Sequence, residues 1–231
     1  MRPLDRGPRP EDAKGPKTFA HYQDARRDLM DRLGQYCSYC ERELTHSPHV
    51  EHVWPKSTHR HRALRWDNFL LACNNCNSHK NVSFSGALRD YYWPDRHNTA
   101  LSLHYESSGL VQANPALTRA RRRRAQRTID LTELNCQPID DTGARDVRLE
   151  LRLAAWREAE EARRDLRQRD DPVVRKYVAK LARARGFWSV WMTVFRDDRD
   201  MLKRLIEAFP GTATCCFDDE CRPVPRPGGA L

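Results

Sequence analysis

YCSYC at residues 36–40 and CNNCN at residues 73–77 bracket a third stretch, VEHVWPKS at residues 50–57. Two C-x-x-C pairs, Cys37 with Cys40 and Cys73 with Cys76, form the pattern of a tetrahedral four-thiolate zinc site. The gap between the pairs is longer than a zinc ribbon uses, so the insert is expected to have work of its own. Four thiolates close the coordination sphere of zinc, and a closed ion neither polarises a phosphate nor activates water. This zinc is therefore expected to be structural, which leaves any chemistry to the insert. Residues 36 to 81 are rich in Cys, His, Asn and aromatics and poor in aliphatics, a texture that needs a metal to hold it. His46 and His49 offer a rival ligand set with Cys37 and Cys40, but that choice orphans the second pair.

The adjacent Glu51 and His52 supply the two functions that hydrolysis of a phosphodiester requires. His52 titrates near neutrality and suits a general base that deprotonates water. Glu51 brings a hard oxygen ligand for Mg2+ or Mn2+, a cation that neutralises charge on the phosphate. Consecutive side chains of a strand point to opposite faces, so the two cooperate only if the strand ends or bends there. Asn68 is expected to orient the imidazole or to complete the ion's shell, and Asn77 to add a further oxygen. His59 and His61 of STHRHRALRW, residues 57–66, read as plain loop residues.

The spacing C-x2-C … EH-x2-P … W-x-N-x4-C-x2-CN-x2-K resembles the HNH endonuclease family. The resemblance implies an α+β fold: a small ββα-metal nuclease module with a structural zinc, here embedded in a mainly α-helical chain. It implies His52 as the base and Asn68 as its supporting asparagine. Glu51 then takes the place of the family's metal-binding acid. Asn77 stands where many members carry a last histidine, which makes the chain an H-N-N variant with His79 as a fallback ligand. Lys56 and Lys80 become candidates for phosphate contact. A wider likeness runs through YCSYCE (36–41), EHVWPKS (51–57) and ALTRARRRRAQRTIDLTELN (116–135). These stretches are similar to the HNH subunit of bacterial Septu-type and retron-associated anti-phage systems, which implies an ABC-type ATPase partner.

Composition agrees with a polyanionic partner. The 231 residues carry 41 Lys and Arg against 32 Asp and Glu, a formal charge of +9 and a pI near 9.3. DNA is the expected substrate, with RNA the alternative. The densest positive run, TRARRRRAQR at 118–127, makes Arg121, Arg122, Arg123 and Arg124 candidates for the phosphate backbone. No apolar run approaches the length of a membrane span, and the charged N-terminus lacks the apolar core of an export signal. A soluble, cytoplasmic protein is expected, in which eight cysteines favour metal over disulfides. Cys136 reads as a small packed residue, while Cys215, Cys216 and Cys221 are surface thiols or an adventitious metal site.

Along the chain, residues 1 to 17 read as a disordered basic arm. Residues 18 to 35 read as a helix with Phe19, Tyr22, Leu29 and Leu33 on one face and Gly34 as its stop. The module of residues 36 to 81 follows. Residues 82 to 115 form an irregular region with the aromatic cluster DYYWPD (90–95) and a hairpin, LSLHYESSGLVQA (101–113). Residues 116 to 231 form a helical C-terminal domain with helices near 116–131, 144–169, 172–185 and 198–208. Asp171 is the expected N-cap of the third, with Pro172 at its first position. The spacing of GFWSVWMTVF (186–195) suits a buried helix better than base stacking. A non-catalytic zinc module that binds nucleic acid or a partner protein explains the cysteines and the charge equally well. It does not explain why Glu51, His52, Asn68 and Asn77 stand at nuclease spacing.

Overall fold

A computed structural model describes residues 1–45, 48–136 and 146–228. In chain order the elements are β1 (Glu11–Asp12), β2 (Gly15–Pro16), α1 (Arg26–Leu33), β3 (His49–His52), β4 (Phe69–Ala72), α2 (Asn74–Ser83) and α3 (Thr99–Ser102). They continue with β5 (Leu103–Tyr105), β6 (Val111–Ala113), α4 (Arg119–Leu131), α5 (Arg148–Gln168), α6 (Pro172–Arg185), α7 (Trp188–Val194) and α8 (Arg199–Ala208). The described residues thus form small antiparallel sheets among helices, and none of these helices is long and apolar enough to cross a membrane.

The segment that carries the four cysteines is the hairpin-and-helix unit. β3 pairs antiparallel with β4, with Val50 opposite Leu71, Glu51 opposite Leu70 and His52 opposite Phe69. β4 reads FLLA and is buried along its whole length, the pattern of a strand covered on both faces. Helix α1 packs against it. The chain then turns into α2 at Cys73, whose sulfur accepts the Cys76 amide (3.5 Å) and so caps the helix. The first turn of α2 therefore points its free N–H groups and positive dipole end at the thiol cluster. The knuckle that carries Cys37 and Cys40 is tied to the hairpin by the Ser38 amide, which donates to the Leu71 carbonyl (2.8 Å).

Residues 1 to 17 are not the loose arm that their composition suggests. Met1, Arg2 and Leu4 are buried, and the Leu4 amide donates to the Pro94 carbonyl (2.7 Å). Arg2 lies inside because its guanidinium donates to the carbonyls of Pro210 (2.6 Å) and Leu33 (2.8 Å) and to the Thr212 hydroxyl (3.0 Å). Burial still lowers its pKa to about 10. Compositional reasoning counts such charges as solvated, whereas here their partners lie on the far side of the sequence.

The N-terminal helix is shorter than its periodicity suggests, starting as a tight 3-10 turn at Tyr22–Ala25 before α1. Gly34 follows it at φ 71°, where its amide donates to the Met30 carbonyl. Asp171 caps α6 by accepting the Val173 amide (2.7 Å). Trp188 and Trp191 are both buried in α7, and their indole N–H groups donate to the carbonyls of Leu205 (3.2 Å) and Gly186 (3.1 Å). They belong to the core, with nothing left to stack on a base.

Candidate active site and zinc centre

The four cysteine sulfurs lie within 4.8 Å of one another and all four residues are buried. Cys40 and Cys73 Sγ are 3.8 Å apart, which matches the edge of a tetrahedron with Zn–S bonds of about 2.3 Å. Four buried thiols and no other donor type make the set fit a closed structural zinc. Burial opposes ionisation of the group, yet hydrogen bonds from Cys40, Cys73 and Cys76 bring the Cys37 thiol well below its ordinary value. Burial and the neighbouring sulfurs push Cys40 and Cys76 well above theirs. His49 of the rival ligand set is exposed, and His46 lies outside the described residues.

A residue that motif reading misses completes this centre. Arg148, the first residue of α5, is 1% exposed and donates from Nη1 to Cys76 Sγ (3.1 Å) and to the Thr132 carbonyl (2.7 Å). Its Nε donates to both oxygens of Asp146 (3.0 and 2.8 Å). Burial works against its charge, but the Cys76 sulfur and Asp146 outweigh it and hold its pKa above the arginine norm. A four-thiolate zinc carries two surplus negative charges, and a guanidinium against one sulfur offsets part of them. No signal near the cysteines points to an arginine so far along the chain.

His52 closes β3 with its ring against Tyr22 (centroids 4.8 Å apart) and Phe69 (5.4 Å). Its Nε2 stands 3.0 Å from the Ala63 carbonyl oxygen. A carbonyl only accepts, so Nε2 carries the proton and Nδ1 keeps its lone pair. Burial lowers the His52 pKa and the charges of Lys56 and Lys80 lower it further, against the pull of the Ala63 carbonyl. The imidazole is therefore neutral at pH 7, the form a base needs.

Glu51 does not join it. Period-2 alternation sends its carboxylate to the opposite face, where Lys80 Nζ lies 2.6 Å from Oε1 and the Tyr39 hydroxyl donates to the same oxygen (3.3 Å). Glu51 is 2% exposed and Lys80 fully buried, and the ammonium also donates to the His52 carbonyl (2.5 Å). Burial raises the Glu51 pKa despite Lys80. Two expectations are corrected here. As placed, Glu51 is the counter-ion of a lysine and does not fit a ligand for Mg2+ or Mn2+. Lys80 is likewise sealed away from any phosphate.

Asn68 reaches the imidazole only at one remove, through the loop it holds. Fully buried, it accepts the Trp54 amide (2.7 Å) and donates to the carbonyls of Trp54 (3.0 Å) and Arg62 (3.1 Å). It pins both ends of the loop that presents the Ala63 carbonyl to His52, which makes it a positioning residue rather than a partner of the imidazole. Asn77 is half-buried on α2, one turn before Lys80. Lys56 is exposed, with its ammonium 4.4 Å from the centroid of Tyr22, the same ring that packs on His52.

The α4 cations divide. Arg121, Arg122 and Arg123 are exposed. Arg124 turns inward, its Nε donating to the Tyr91 carbonyl (3.0 Å) and its Nη2 to His97 Nε2 (2.8 Å), and is withdrawn as a phosphate contact. Beside the loop of Asn68 runs a cleft of about 730 Å³ walled by Arg6, Arg9, Arg65 and Arg96, with Asp67 and Asp95 among them.

Comparison with curated proteins finds no match. The match to a family lies over the residues just described and is to the HNH family alone, so it lends nothing to the Septu-type likeness. It spans the cysteine knuckle, the hairpin with His52 and the helix with Asn77 and Lys80: residues 37–83 match the HNH endonuclease family and form an HNH domain.

Proposed function

We propose that the chain is an endonuclease that hydrolyses nucleic-acid phosphodiester bonds, DNA above all, with His52 as general base. The observation that carries this reading is His52 Nε2 held 3.0 Å from the Ala63 carbonyl oxygen, which assigns the proton to Nε2 and leaves the Nδ1 lone pair, without a partner among the described residues, on a ring whose pKa burial lowers. Nδ1 takes a proton from water as the water oxygen bonds to phosphorus, the bond to the 3′-oxygen breaks, and that oxygen is protonated by solvent. Lys56 beside the ring, with Arg9 and Arg96 of the neighbouring cleft, holds the backbone, while Arg6 and Arg65 there are engaged by Asp95 and Asp67. HNH nucleases generally use a divalent ion, Mg2+ or Mn2+ in this proposal, to neutralise charge on the phosphate. Asn77 offers such an ion an oxygen, whereas Glu51 offers one only after parting from Lys80. A cytoplasmic setting, an anti-phage role and an ABC-type ATPase partner belong to the same proposal, supported by the sequence resemblance alone.

The test is cleavage of supercoiled plasmid, and of RNA in parallel, with Mg2+ or Mn2+, wild type beside His52→Ala, with zinc measured on both. Cleavage by wild type only, at equal zinc, is the expected result. Equal cleavage by the variant overturns His52 as base. The Glu51–Lys80 pair favours one other reading, a zinc module that binds nucleic acid without cutting it. Retained binding with no cleavage at any metal concentration, with or without an ATPase partner, would select that reading.

A further inference from the structure

Outside the cysteine knot, His79, Cys136 and Asp146 bring one nitrogen, one sulfur and one carboxylate oxygen within 4.8 Å of one another. We propose that these three residues, with Glu133 as the fourth ligand, form a second zinc site that clamps the HNH helix to the helical part of the chain. The donors come from three places: His79 from α2, Glu133 and Cys136 from the turn after α4, and Asp146 from the approach to α5.

Geometry and donor chemistry both point to zinc. Bonds of about 2.0–2.3 Å give tetrahedral edges of about 3.3–3.8 Å. The Glu133 Oε2 to His79 Nδ1 distance, 3.1 Å, lies just below that range. The 4.8 Å limit on the other three lies about 1 Å above it. His79 and Cys136 are half-exposed, so rotation of their side chains can close that difference. A set of one imidazole, one thiolate and two carboxylates suits zinc and excludes Mg2+ and Ca2+, which take oxygen.

The surroundings already carry the support that a metal ligand needs. Asp146 is buried and held by Arg148, yet a carboxylate has lone pairs enough for an arginine and a metal. Three anionic ligands exceed the charge of one zinc, and Arg148 faces the surplus. Because Arg148 also donates to Cys76, one guanidinium would tie the two zinc sites together. On binding, Cys136 loses its thiol proton to solvent, and His79 gives up the Nδ1 proton it shares with Glu133 while keeping one on Nε2. With four protein ligands the ion has no open position, so its role is structural.

The inference is independent of whether the chain cuts nucleic acid, and its test reads metal. The full chain is saturated with Zn2+, freed of loose ion by desalting, and its zinc per chain measured for wild type, Cys136→Ser and His79→Ala, with circular dichroism on each. Wild type should hold two ions per chain and each variant one, at unchanged helicity. A second arm adds Co2+ to protein already holding one zinc. A sulfur-to-cobalt charge-transfer band in wild type that Cys136→Ser lacks, but Cys215→Ser keeps, assigns the thiolate. One zinc in wild type, or two in both variants, overturns the site.

Discussion

Lys80→Met isolates the buried ion pair of the HNH domain. The change keeps an unbranched side chain of similar length but removes the charge, leaving the Glu51 carboxylate 2% exposed with hydrogen bonds from the Tyr39 hydroxyl and the His52 backbone amide in place of its cation. Removing one partner of a buried pair costs about 3–5 kcal/mol, because the remaining charge has neither water nor a counter-ion. In a chain of this size that lowers Tm by about 10 °C. The cost has a pH signature. Burial already holds the folded Glu51 pKa above its ordinary 4.5, and loss of Lys80 raises it further. A group whose folded pKa is raised stabilises the fold most below the unfolded value, and that contribution is lost as pH rises through the folded value. The deficit of Lys80→Met against wild type should therefore be largest near pH 8 and shrink toward pH 5. The assay is thermal and urea unfolding of zinc-loaded protein across that range, always as the difference from wild type. Adding Glu51→Leu on the same background should recover most of the loss, since a buried pair replaced by apolar residues is close to neutral. A deficit below about 1 kcal/mol at pH 8, or one that does not vary with pH, would refute the buried pair. If Mg2+ restored the stability of Lys80→Met but not of the double variant, Glu51 would be shown capable of taking the ion once freed.

Arg148→Met removes the donor to Cys76 while conserving bulk, and zinc affinity of the four-cysteine site should fall about 10–100-fold, read by competition with a chromogenic chelator. Unchanged affinity would mean the guanidinium serves packing alone. His97 has its pKa lowered to about 4, by burial first and by Arg124 second. A depressed folded value means stability that is whole above the unfolded pKa of 6.5 and lost as pH falls toward 4. Arg124→Gln should raise the His97 titration midpoint seen by NMR and flatten the acid side of the stability profile. Burial will keep that midpoint below 6.5, and a midpoint still near 4 would remove Arg124 as a cause.

What could be read from the sequence follows how far apart the interacting residues lie. The four-cysteine cluster rests on two i, i+3 pairs of one residue type, and metal chemistry admits few other sets, so the spacing alone brought the four together, while the hairpin and α2 were expected only from the resemblance to the HNH family. The cap of α6 and the burial of the α7 tryptophans were equally local, since Asp171–Pro172 and an apolar helical spacing carry their own geometry. Arg148, by contrast, meets Cys76 across most of the intervening fold, and Glu41 accepts the Ser189 amide and hydroxyl (3.0 and 2.7 Å) with no motif to announce either contact. Arg2 and Leu4 looked like a solvated arm because composition counts charges and cannot see the carbonyls waiting for them.

The acid-histidine pair shows where local reading ends. Alternation along a strand already says that Glu51 and His52 face opposite ways, so a shared ion would have required a bend at residue 51 or 52. The register shows none: Glu51 stands opposite Leu70 and His52 opposite Phe69, in step to the end of β3. What alternation cannot say is what waits on each side. On one face lies Lys80, brought there by α2 and donating to both Glu51 and the His52 carbonyl. On the other lie the Ala63 carbonyl and the Tyr22 ring, which fix the tautomer and the plane of the imidazole. The pair is thus divided between two places, Glu51 anchoring helix to strand and His52 holding the nitrogen that we propose as the base. The anchor holds the backbone of the very residue that carries the proposed base. Loosening Lys80 should therefore blunt His52 even where the imidazole itself is untouched.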